Sequence, residues 1–378
     1  MMKIAVVGIG GTGSAAAYWL AKAGHDVTGF EQFAAGHSRS SSHGQSRIIR
    51  YTYSDDLYTQ MMGDAYPLWQ EVQSDAGEEL LVRTGGVFVG SKDSPDLASA
   101  EAALVRCGVP HRRLSPAETH ARFPSLRLAG HEHALFQADM GFLRAIACVL
   151  ALTRLAREAG AAIHEHTEVQ EIAADGRRRV RVVTAAGEEV FDRVIVSAGP
   201  WISSLLASLH LPLRVTRQQI AYLAPEAGRA RDFEPERLPV WIDIDANVYG
   251  FPHDGRSAGV KLASHAQGEE ADPAAATHPV SDRDNNRLAD YAAERFDGLT
   301  RQVLSAETCL YTNTPDEDFI IDAVPGLPQV QIISGCSGHG FKFTILLGRI
   351  AAETAVFGTS SLLSSSALSR FSLNRFAA

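Results

Sequence analysis

The chain has 378 residues, and at about 150 residues per domain this length predicts two domains rather than one core. Hydrophobic residues make up 45% and charged residues 21%, which is ordinary for a globular protein and argues against a disordered, collagen-like or coiled-coil chain. Lys and Arg number 35 against 44 Asp and Glu, and the resulting net charge of −9 provides no basic field for nucleic acid.

The cysteines and the N-terminus indicate a reducing compartment. The four cysteines are widely spaced and form no C-x-x-C pair, so neither a disulfide framework nor a zinc site is predicted. No stretch approaches the ~18 consecutive apolar residues of a membrane span, and the first apolar run ends in glycines rather than in a cleavage site. We therefore expect a cytoplasmic protein with neither a membrane nor a nucleic-acid partner.

The chain opens with a strand–turn–helix–strand unit. The apolar and β-branched residues of Lys3–Val7 predict a strand that is buried on both faces. Thr12–Ala23 predicts a helix that stops at Gly24, and His25–Phe30 predicts the second strand. Glu31 follows that strand directly.

The turn of this unit carries a dinucleotide fingerprint. The segment Gly8, Ile9, Gly10, Gly11, Thr12, Gly13 fits G-x-G-x-x-G between a strand and a helix, and Glu31 has the expected spacing. The glycines allow a pyrophosphate to approach the helix N-terminus, and the acid can accept hydrogen bonds from a ribose. A tight turn without a ligand is the alternative. The fingerprint fits NAD and FAD equally, but no second copy occurs, which favours one bound dinucleotide.

Further elements alternate along the rest of the chain. We predict a helix, two short strands, a hairpin about Asp175 and Gly176, and later a loop, a helix, a strand with a glycine-dense loop, a last helix and a serine-rich connection. Their ranges are Phe142–Ala159 (helix), a strand through Ile163, Glu168–Ala173 with Arg179–Thr184 (hairpin), Arg193–Val196 (strand), Ala266–Ser281 (loop), Asp282–Phe296 (helix), Ile332–Gly340 (strand and loop), Phe341–Val356 (helix) and Ser360–Ser366 (connection).

Two regions differ from this alternation. They contain short strand-like pieces, such as Gly86–Gly90, Val240–Ile244 and Gly259–Ala263, separated by turns rich in Pro, Gly and Asp. The sequence therefore predicts an α/β (α+β) protein with a Rossmann domain and a mainly antiparallel β domain inserted twice. The predicted ranges are 1–82, 145–213 and 316–378 for the first domain, and 83–144 and 214–315 for the second.

Two further segments could bind anions. The glycine-dense loop before Phe341 leads into a predicted helix, so a ligand that contacts the loop also meets the N-terminus of that helix. The partial positive charge of the helix N-terminus favours an anion such as a reduced flavin. A turn packed for steric reasons is the alternative. Arg47 and Arg50 lie three residues apart, and arginine suits bidentate binding of carboxylates, although exposed arginines are common on any surface.

These motifs together carry a resemblance. The chain resembles the monomeric sarcosine oxidase and N-methyltryptophan oxidase family of FAD-dependent amine oxidases over nearly its whole length. The matching stretches are the fingerprint, SHGQSRIIR at 42–50, GFLR at 141–144, YGFP at 249–252, GVKLASH at 259–265, CLYTNTPDEDFIID at 309–322 and SGCSGHGFKF at 334–343. The resemblance implies a glutathione-reductase-like FAD-binding domain with a substrate domain, and a monomer.

The resemblance also implies an FAD site. The residues expected to bind FAD are Gly8, Gly10, Gly11, Thr12, Gly13, Glu31, Ser42, His43, Gly44, Arg47, Val169, Cys309, Gly338, Gly340 and Lys342. The family attaches the flavin covalently through its 8α-methyl group to the cysteine that matches Cys309. From composition alone Cys309 would be a buried apolar residue, and Cys336 is the competing attachment site.

The implied catalytic residues are Lys261, His265, Arg50, Lys342, Tyr249 and Tyr311. Lys261 matches the family's oxygen-activating lysine, since a fixed ammonium stabilises the charge that develops on oxygen. Arg50 and Lys342 match the residues that hold the substrate carboxylate, and the two tyrosines match aromatic pocket residues. Without the motifs, Lys261 would be expected to reach solvent and the tyrosines to be ordinary packing.

The implied activity is oxidation of a secondary amino acid, N-methyl or cyclic, to an imine, with O2 reduced to H2O2. The partners are then a small anionic amino-acid-like substrate and O2. Two departures fall in the pocket: Ser42 replaces the first histidine of the family's His-His-Gly, and the segment from Tyr249 to Lys261 is one residue longer. The alternatives are a dehydrogenase with an acceptor other than oxygen, and a ligand-binding flavoprotein without catalysis.

Overall fold

The computed structural model describes residues 1–266 and 268–376, and these form twenty-one strands and nine α-helices. In chain order the strands are β1 (Lys3–Val7), β2 (Asp26–Phe30), β3 (Arg47–Ile49), β4 (Leu81–Arg83), β5 (Gly86–Ser91), β6 (Arg112–Leu114), β7 (Glu132–Gln137), β8 (Gly141–Leu143), β9 (Ala162–His164), β10 (Val169–Asp175), β11 (Arg179–Thr184), β12 (Gly187–Phe191), β13 (Arg193–Val196), β14 (Arg214–Pro225), β15 (Val240–Asp243), β16 (Val248–Phe251), β17 (Val260–Ser264), β18 (Glu269–Glu270), β19 (Leu299–Asn313), β20 (Ile320–Val324) and β21 (Leu327–Ser334). The helices are α1 (Gly11–Lys22), α2 (Asp56–Ala76), α3 (Pro95–Arg106), α4 (Pro116–Arg122), α5 (Ala145–Glu158), α6 (Ile202–Leu205), α7 (Asp282–Arg295), α8 (Thr344–Phe357) and α9 (Ser365–Arg370).

A parallel sheet forms the centre of one half of the molecule. Its strand order is β20-β21-β13-β1-β2-β9, and only β20 runs antiparallel to its neighbour. Because side chains alternate along a strand, Ile4 and Val6 of β1 pack against α1, α5 and α8, whereas Ala5 and Val7 pack against the antiparallel sheet β10-β11-β12. The predicted Rossmann layer arrangement is confirmed.

The other half is built on a nine-stranded sheet. Its order is β18-β14-β17-β16-β15-β5-β7-β6, with β19 paired along the other edge of β14. All pairs are antiparallel except that of β5 with β15. Helix α7 packs Leu288 and Ala292 against Trp241 and Leu262 of this sheet. The predicted mainly antiparallel sheet is present. A further small sheet, β3-β8-β4, is formed by strands from the ranges predicted for both domains.

Several element boundaries differ from the predictions. The helix predicted from Phe142 begins at Ala145, because Phe142 lies in β8 and pairs with Ile48 and Val82. The last long helix begins at Thr344, after a 3₁₀ turn over Phe341–Phe343.

Polar segments also contain structure that was not predicted. The predicted loop at 266–281 includes the two-residue strand β18, although Gln267 lies outside the described residues. The serine-rich connection runs into α9, whose first turn is capped by Ser364. The 21-residue helix α2 was not predicted, because Gly63 and Pro67 interrupt its pattern. Among helices in the described ranges, none combines the length and apolar composition needed to cross a bilayer.

Candidate functional site

The glycine turn after β1 is so close-packed that two of its glycines, Gly8 and Gly13, leave no room for a Cβ. Gly8 has φ +87°, and a Cβ there would lie 2.6 Å from the carbonyl oxygen of Ser197. A Cβ on Gly13 would lie 1.8 Å from the carbonyl oxygen of Gly8. The turn therefore brings the N-terminus of α1 directly to the edge of the sheet, where its free N–H groups can meet an anion. One of them, on Gly11, donates to Ser42 Oγ at 3.0 Å.

Glu31 is fixed at the end of β2. Its side chain is buried, and its two carboxylate oxygens accept hydrogen bonds from the backbone N–H groups of Ile9 at 2.9 Å and Phe33 at 3.0 Å. His37 Nε2 lies 3.4 Å from the same carboxylate. Each carboxylate oxygen can accept more than one bond, so Glu31 retains capacity for a ribose hydroxyl.

A cavity runs along this turn and encloses about 1500 Å³ of space, including its solvent-facing part. It is lined by predicted cofactor residues from several segments: Gly8, Gly10, Gly11, Thr12, Glu31, Ser42, Arg47, Val169, Gly338 and Gly340. The predicted catalytic residue Tyr311 lines it as well, as does Cys336. The other predicted residues lie outside this lining: Gly13, His43, Gly44, Arg50, Tyr249, Lys261, His265, Cys309 and Lys342.

The cavity contains unsatisfied polar atoms that indicate a polar ligand. Three of its lining residues, Ser41, Thr312 and Ser334, each have a buried hydroxyl without a partner in the described parts of the chain. A buried hydroxyl without a partner is costly, so such atoms point to a bound group. With the helix N-terminus and Glu31, the donor set fits the phosphates, ribose and ring edges of FAD.

Two cations meet at one carbonyl beside this cavity. Lys261 on β17 is buried, and its Nζ donates to the carbonyl oxygen of Ser46 at 2.9 Å. Arg47 Nη1 donates to the same oxygen at 3.0 Å. Burial, with a further contribution from Arg47, lowers the pKa of Lys261 to about 7. The Lys261 ammonium also lies 4.7 Å from the centre of the Phe251 ring.

Cys309 faces these cations. It is buried on β19, where it pairs with Gln218 of β14, and it shares a strand face with Tyr311, two residues on. Burial raises the pKa of the Cys309 thiol, while Arg47 and Lys261 act in the opposite direction. The His43 side chain contacts the residue that precedes Cys309: its Nε2 lies 2.7 Å from the carbonyl oxygen of Thr308.

Cys336 differs in its electrostatic surroundings. Burial raises the pKa of its thiol to about 11, and Lys342 is the cation that acts in the opposite direction. Its side chain packs so closely on Gly340 that a Cβ on Gly340 would lie 2.6 Å from the sulfur. The two thiols thus occupy different parts of the site.

Arg50 and Lys342 both lie beside the Tyr53 ring. The Arg50 guanidinium carbon lies 4.3 Å, and Lys342 Nζ 5.3 Å, from the centre of the Tyr53 ring. Within residues 1–266 and 268–376, neither cation has a carboxylate at ion-pair distance. Burial lowers the pKa of both, with Arg50 adding to the effect on Lys342. Two adjacent cations without a carboxylate partner form a site for an anion.

Tyr249, Tyr311 and His265 form a neighbouring group, in which His265 is the member close to Arg50 and Lys342. The two tyrosine hydroxyls are 3.2 Å apart, and the His265 ring centre is about equally far from both tyrosine rings, at 6.2 and 6.0 Å. His265 is exposed as a whole residue, but surrounding protein atoms crowd its ring. This crowding, with Arg50 and Lys342, lowers its pKa to about 4, so it is neutral at neutral pH.

Sequence reasoning did not identify several lining or supporting residues. Ser41, Thr312 and Ser334 occur within or beside the motifs, but nothing in their residue type marks a ligand contact. Tyr53 is three residues beyond Arg50 and could have been noticed only as a neighbour of the SHGQSRIIR segment. Trp201, which lines the cavity, follows the β13 strand without any motif.

Comparison with known proteins identifies the family of the chain. The model of the FAD dependent oxidoreductase family matches residues 3–354, and the chain belongs to that family. It is 37% identical to monomeric sarcosine oxidase of Streptomyces avermitilis, covering 94% of each chain. It is 33% identical to N-methyl-L-tryptophan oxidase of Salmonella dublin, covering 97% of this chain and 98% of that one. The family predicted from sequence is therefore confirmed.

A solved structure shows the same fold. The open form of NikD, described as an unusual amino acid oxidase essential for nikkomycin biosynthesis, superposes with a TM-score of 0.85 at 24% identity. The superposition covers 97% of this chain and 96% of NikD. The arrangement of the parallel sheet beside the nine-stranded sheet is thus a fold that is also found in a solved structure.

Proposed function

We propose that this protein oxidises a secondary amino acid, N-methyl or cyclic, to an imine that water hydrolyses, with O2 reduced to H2O2. The names of the sarcosine and N-methyltryptophan oxidase relatives support this substrate class. When bound, FAD supplies the acceptor for two electrons from the substrate and the donor of two electrons to oxygen. The observation that carries the proposal is the pair of cations at the Tyr53 ring.

Arg50 and Lys342 hold the substrate carboxylate. Both lack a carboxylate partner in the described chain and both lie beside the Tyr53 ring, and in this proposal one substrate carboxylate bridges them. Arginine presents two parallel donors to such a group. Each charge-assisted hydrogen bond contributes about 1.5–3 kcal/mol, so the clamp fixes the substrate's orientation as well as its affinity.

The same cations favour the reactive form of the amine. An ammonium bound near Arg50 and Lys342 is destabilised, so its proton is released more easily and the lone pair needed for imine formation becomes available. Neutral His265 and the protonated tyrosines add no charge that would oppose this. Burial raises the pKa of Tyr249, so that its hydroxyl remains a neutral partner for the amine.

Lys261 acts on oxygen. Its ammonium is fixed by Ser46, whose carbonyl and hydroxyl lie 2.9 and 3.3 Å from Nζ, and it lies in an apolar setting against Phe251. A fixed positive charge in such surroundings stabilises the negative charge that develops as oxygen is reduced. The negative charge that develops on oxygen would in turn raise the pKa of Lys261 and favour its ammonium form.

The flavin is attached covalently to Cys309. Arg47 and Lys261 face this thiol and favour its thiolate, which is the nucleophilic form. The chain functions as a cytoplasmic monomer of two domains, one of 1–82, 145–213 and 316–378, the other of 83–144 and 214–315. In support of this division, all nine strands of the large sheet belong to the second set of ranges.

Anaerobic reduction tests the substrate class. The purified flavoprotein is mixed with sarcosine, N-methyl-L-tryptophan, proline, pipecolate, primary L- and D-amino acids, and amines that lack the carboxylate. We expect a secondary amino acid to bleach the flavin absorbance, and its decarboxylated partner to do so at least roughly tenfold more slowly. Equal rates for acid and amine would contradict the clamp.

Admission of air then tests the acceptor. We expect the bleached flavin to recover its absorbance rapidly and to yield one H2O2 per substrate oxidised. Slow recovery in air with rapid recovery on a quinone would instead establish a dehydrogenase. Absorbance unchanged by every member of the panel would favour a ligand-binding flavoprotein.

A further inference from the structure

A chain of hydrogen bonds leads from Lys342 away from the proposed clamp. Lys342 Nζ lies 2.8 Å from the Tyr53 hydroxyl, which lies 3.2 Å from His339 Nδ1. His339 Nε2 lies 3.0 Å from the backbone carbonyl oxygen of Glu317. These hydrogen bonds thus link the 3₁₀ turn before α8 to the loop after β19.

With Lys342 in its ammonium form, only one arrangement of hydrogens satisfies this series of hydrogen bonds. A lysine ammonium is a donor only, so Tyr53 must accept from Lys342 and donate its single hydrogen onward to His339 Nδ1. The Glu317 carbonyl is an acceptor only, so His339 must carry its hydrogen on Nε2. Burial lowers the pKa of His339 to about 3, which keeps the ring in this neutral state. The Tyr53 oxygen is therefore oriented with its lone pair toward Lys342.

Aromatic packing holds the Tyr53 and His339 rings of this hydrogen-bond series in place. Tyr53 stacks on Tyr58 with ring centres 5.2 Å apart, and His339 stacks on Phe319 at 4.9 Å. Glu317 adopts φ +62°, a strained value for a residue other than glycine, and its carbonyl oxygen is the group that His339 contacts. The residue with this backbone conformation, Glu317, is thus the one whose carbonyl accepts the last hydrogen bond of the series.

The Lys342 ammonium has two acceptors within the described chain, the Tyr53 hydroxyl and the backbone carbonyl oxygen of His339. These two bonds fix two of its three hydrogens and leave the third for a ligand. We propose that Tyr53, oriented by His339, is a positioning residue that directs the third Lys342 hydrogen at the substrate carboxylate. This inference rests on the proposed role of Lys342 in the clamp.

Tyr53→Phe tests the proposal, with Tyr58→Phe as the matched control. Both substitutions remove one hydroxyl from the same aromatic cluster, but the Tyr58 hydroxyl donates to Asp318 at 2.8 Å rather than serving Lys342. For the best amino acid substrate of the anaerobic panel, we expect Tyr53→Phe to raise the concentration for half-maximal flavin reduction roughly tenfold, with a smaller change in the limiting rate. For the decarboxylated partner we expect no change.

Three outcomes would overturn the positioning role: equal effects of the two substitutions, equal effects on acid and amine, or no effect of Tyr53→Phe. His339→Phe, which keeps an aromatic ring but removes the acceptor, should change affinity in the same direction and provides a second test if Tyr53→Phe folds poorly. Lys342→Met separates this inference from the proposed function. If Lys342→Met leaves the affinity for the amino acid unchanged, the clamp itself is wrong; if it weakens affinity and Tyr53→Phe does not, only the positioning role is wrong.

Discussion

At the scale of single residues, the site is distinguished by where its charges lie. Lys261 is a lysine buried against an aromatic ring, and Arg50 and Lys342 are cations that lack carboxylate partners in the described chain. Burying a charge without an ion-pair partner is costly, which makes such groups candidates for contact with a ligand or a reacting group. The arrangement therefore separates the pair proposed to bind a carboxylate from the lysine proposed to act on oxygen.

Lys261→Met should uncouple the two half-reactions. Because several kcal/mol of charge stabilisation is lost, and each ~1.4 kcal/mol corresponds to a tenfold change in rate, reoxidation of the reduced flavin by oxygen should slow by orders of magnitude. Anaerobic reduction by substrate should slow much less. Stopped-flow measurement of both steps checks this, with the exposed Lys92→Met as a control. Equal slowing of both steps would make Lys261 a structural residue.

Cys309→Ser should release the flavin. Acid precipitation of the wild-type protein should leave the yellow chromophore on the peptide that contains Cys309, whereas the Cys309→Ser supernatant should contain free FAD. Cys336→Ser is the matched control and should retain bound flavin, because Arg47 and Lys261 face Cys309 rather than Cys336. Mass analysis that finds flavin on the Cys336 peptide would reverse the assignment.

Sequence analysis could identify residues that act within motifs but not those that act through partners. Glu31 was predictable because its spacing from the glycines is fixed by one strand and one helix. Tyr53 and His339 were not, because each is an ordinary residue in its own segment and they meet only when segments distant in the chain are packed together. Hydrogen-bond direction, which gives them their proposed role, has no signature in the order of residues.

At the scale of elements, the predictions were most accurate where one local rule decided the structure. β1 and β13 have the predicted bounds, since a short run of β-branched residues between glycine or polar residues leaves little choice. The α5 boundary was wrong, because the apolar run that starts at Phe142 continues from a strand into a helix without interruption. Tertiary pairing of β8 with β3 and β4 decides that boundary.

The same substitution should have opposite effects in α1 and α2. Gly13→Ala places a methyl group 1.8 Å from a backbone oxygen and should destabilise the protein by about 3 kcal/mol or more. Gly63→Ala lies in an exposed helix interior with nothing within 4 Å, and should stabilise by about 0.5–1 kcal/mol. Thermal unfolding and flavin content of the two variants check this. A stable Gly13→Ala variant with full flavin content would contradict the proposed packing of the turn.

At the scale of the whole molecule, buried ion pairs join elements of the large sheet. Arg295 of α7 binds both carboxylate oxygens of Glu132 on β7, at 2.6 and 2.7 Å, and Asp243 on β15 at 2.7 Å. Tyr291 donates to the same Asp243 carboxylate at 3.1 Å. The network fixes α7 across two strands that are not neighbours in the sheet.

Arg295→Met should be strongly destabilising, because it leaves two buried carboxylates without their cation. Loss of one partner of a buried pair costs about 3–5 kcal/mol, which denaturant unfolding would measure. Arg301→Met is the matched control: its pair with Asp290 is exposed, and such pairs contribute little. The rate of flavin reduction in folded Arg295→Met should remain close to that of wild type. A small stability loss, equal to that of the control, would show that water already screens the network.

The pairing of β14 with β19 has a consequence for the order of events during folding. Cys309 is placed by its register with Gln218, so the segment that bears the thiol reaches its position only after two distant parts of the chain have joined. Such non-local strand pairing is slow compared with helix formation. The glycine turn and α1, by contrast, arise from neighbouring residues. A covalent flavin at Cys309 would record that this non-local pairing, and not only the local glycine turn, had been completed.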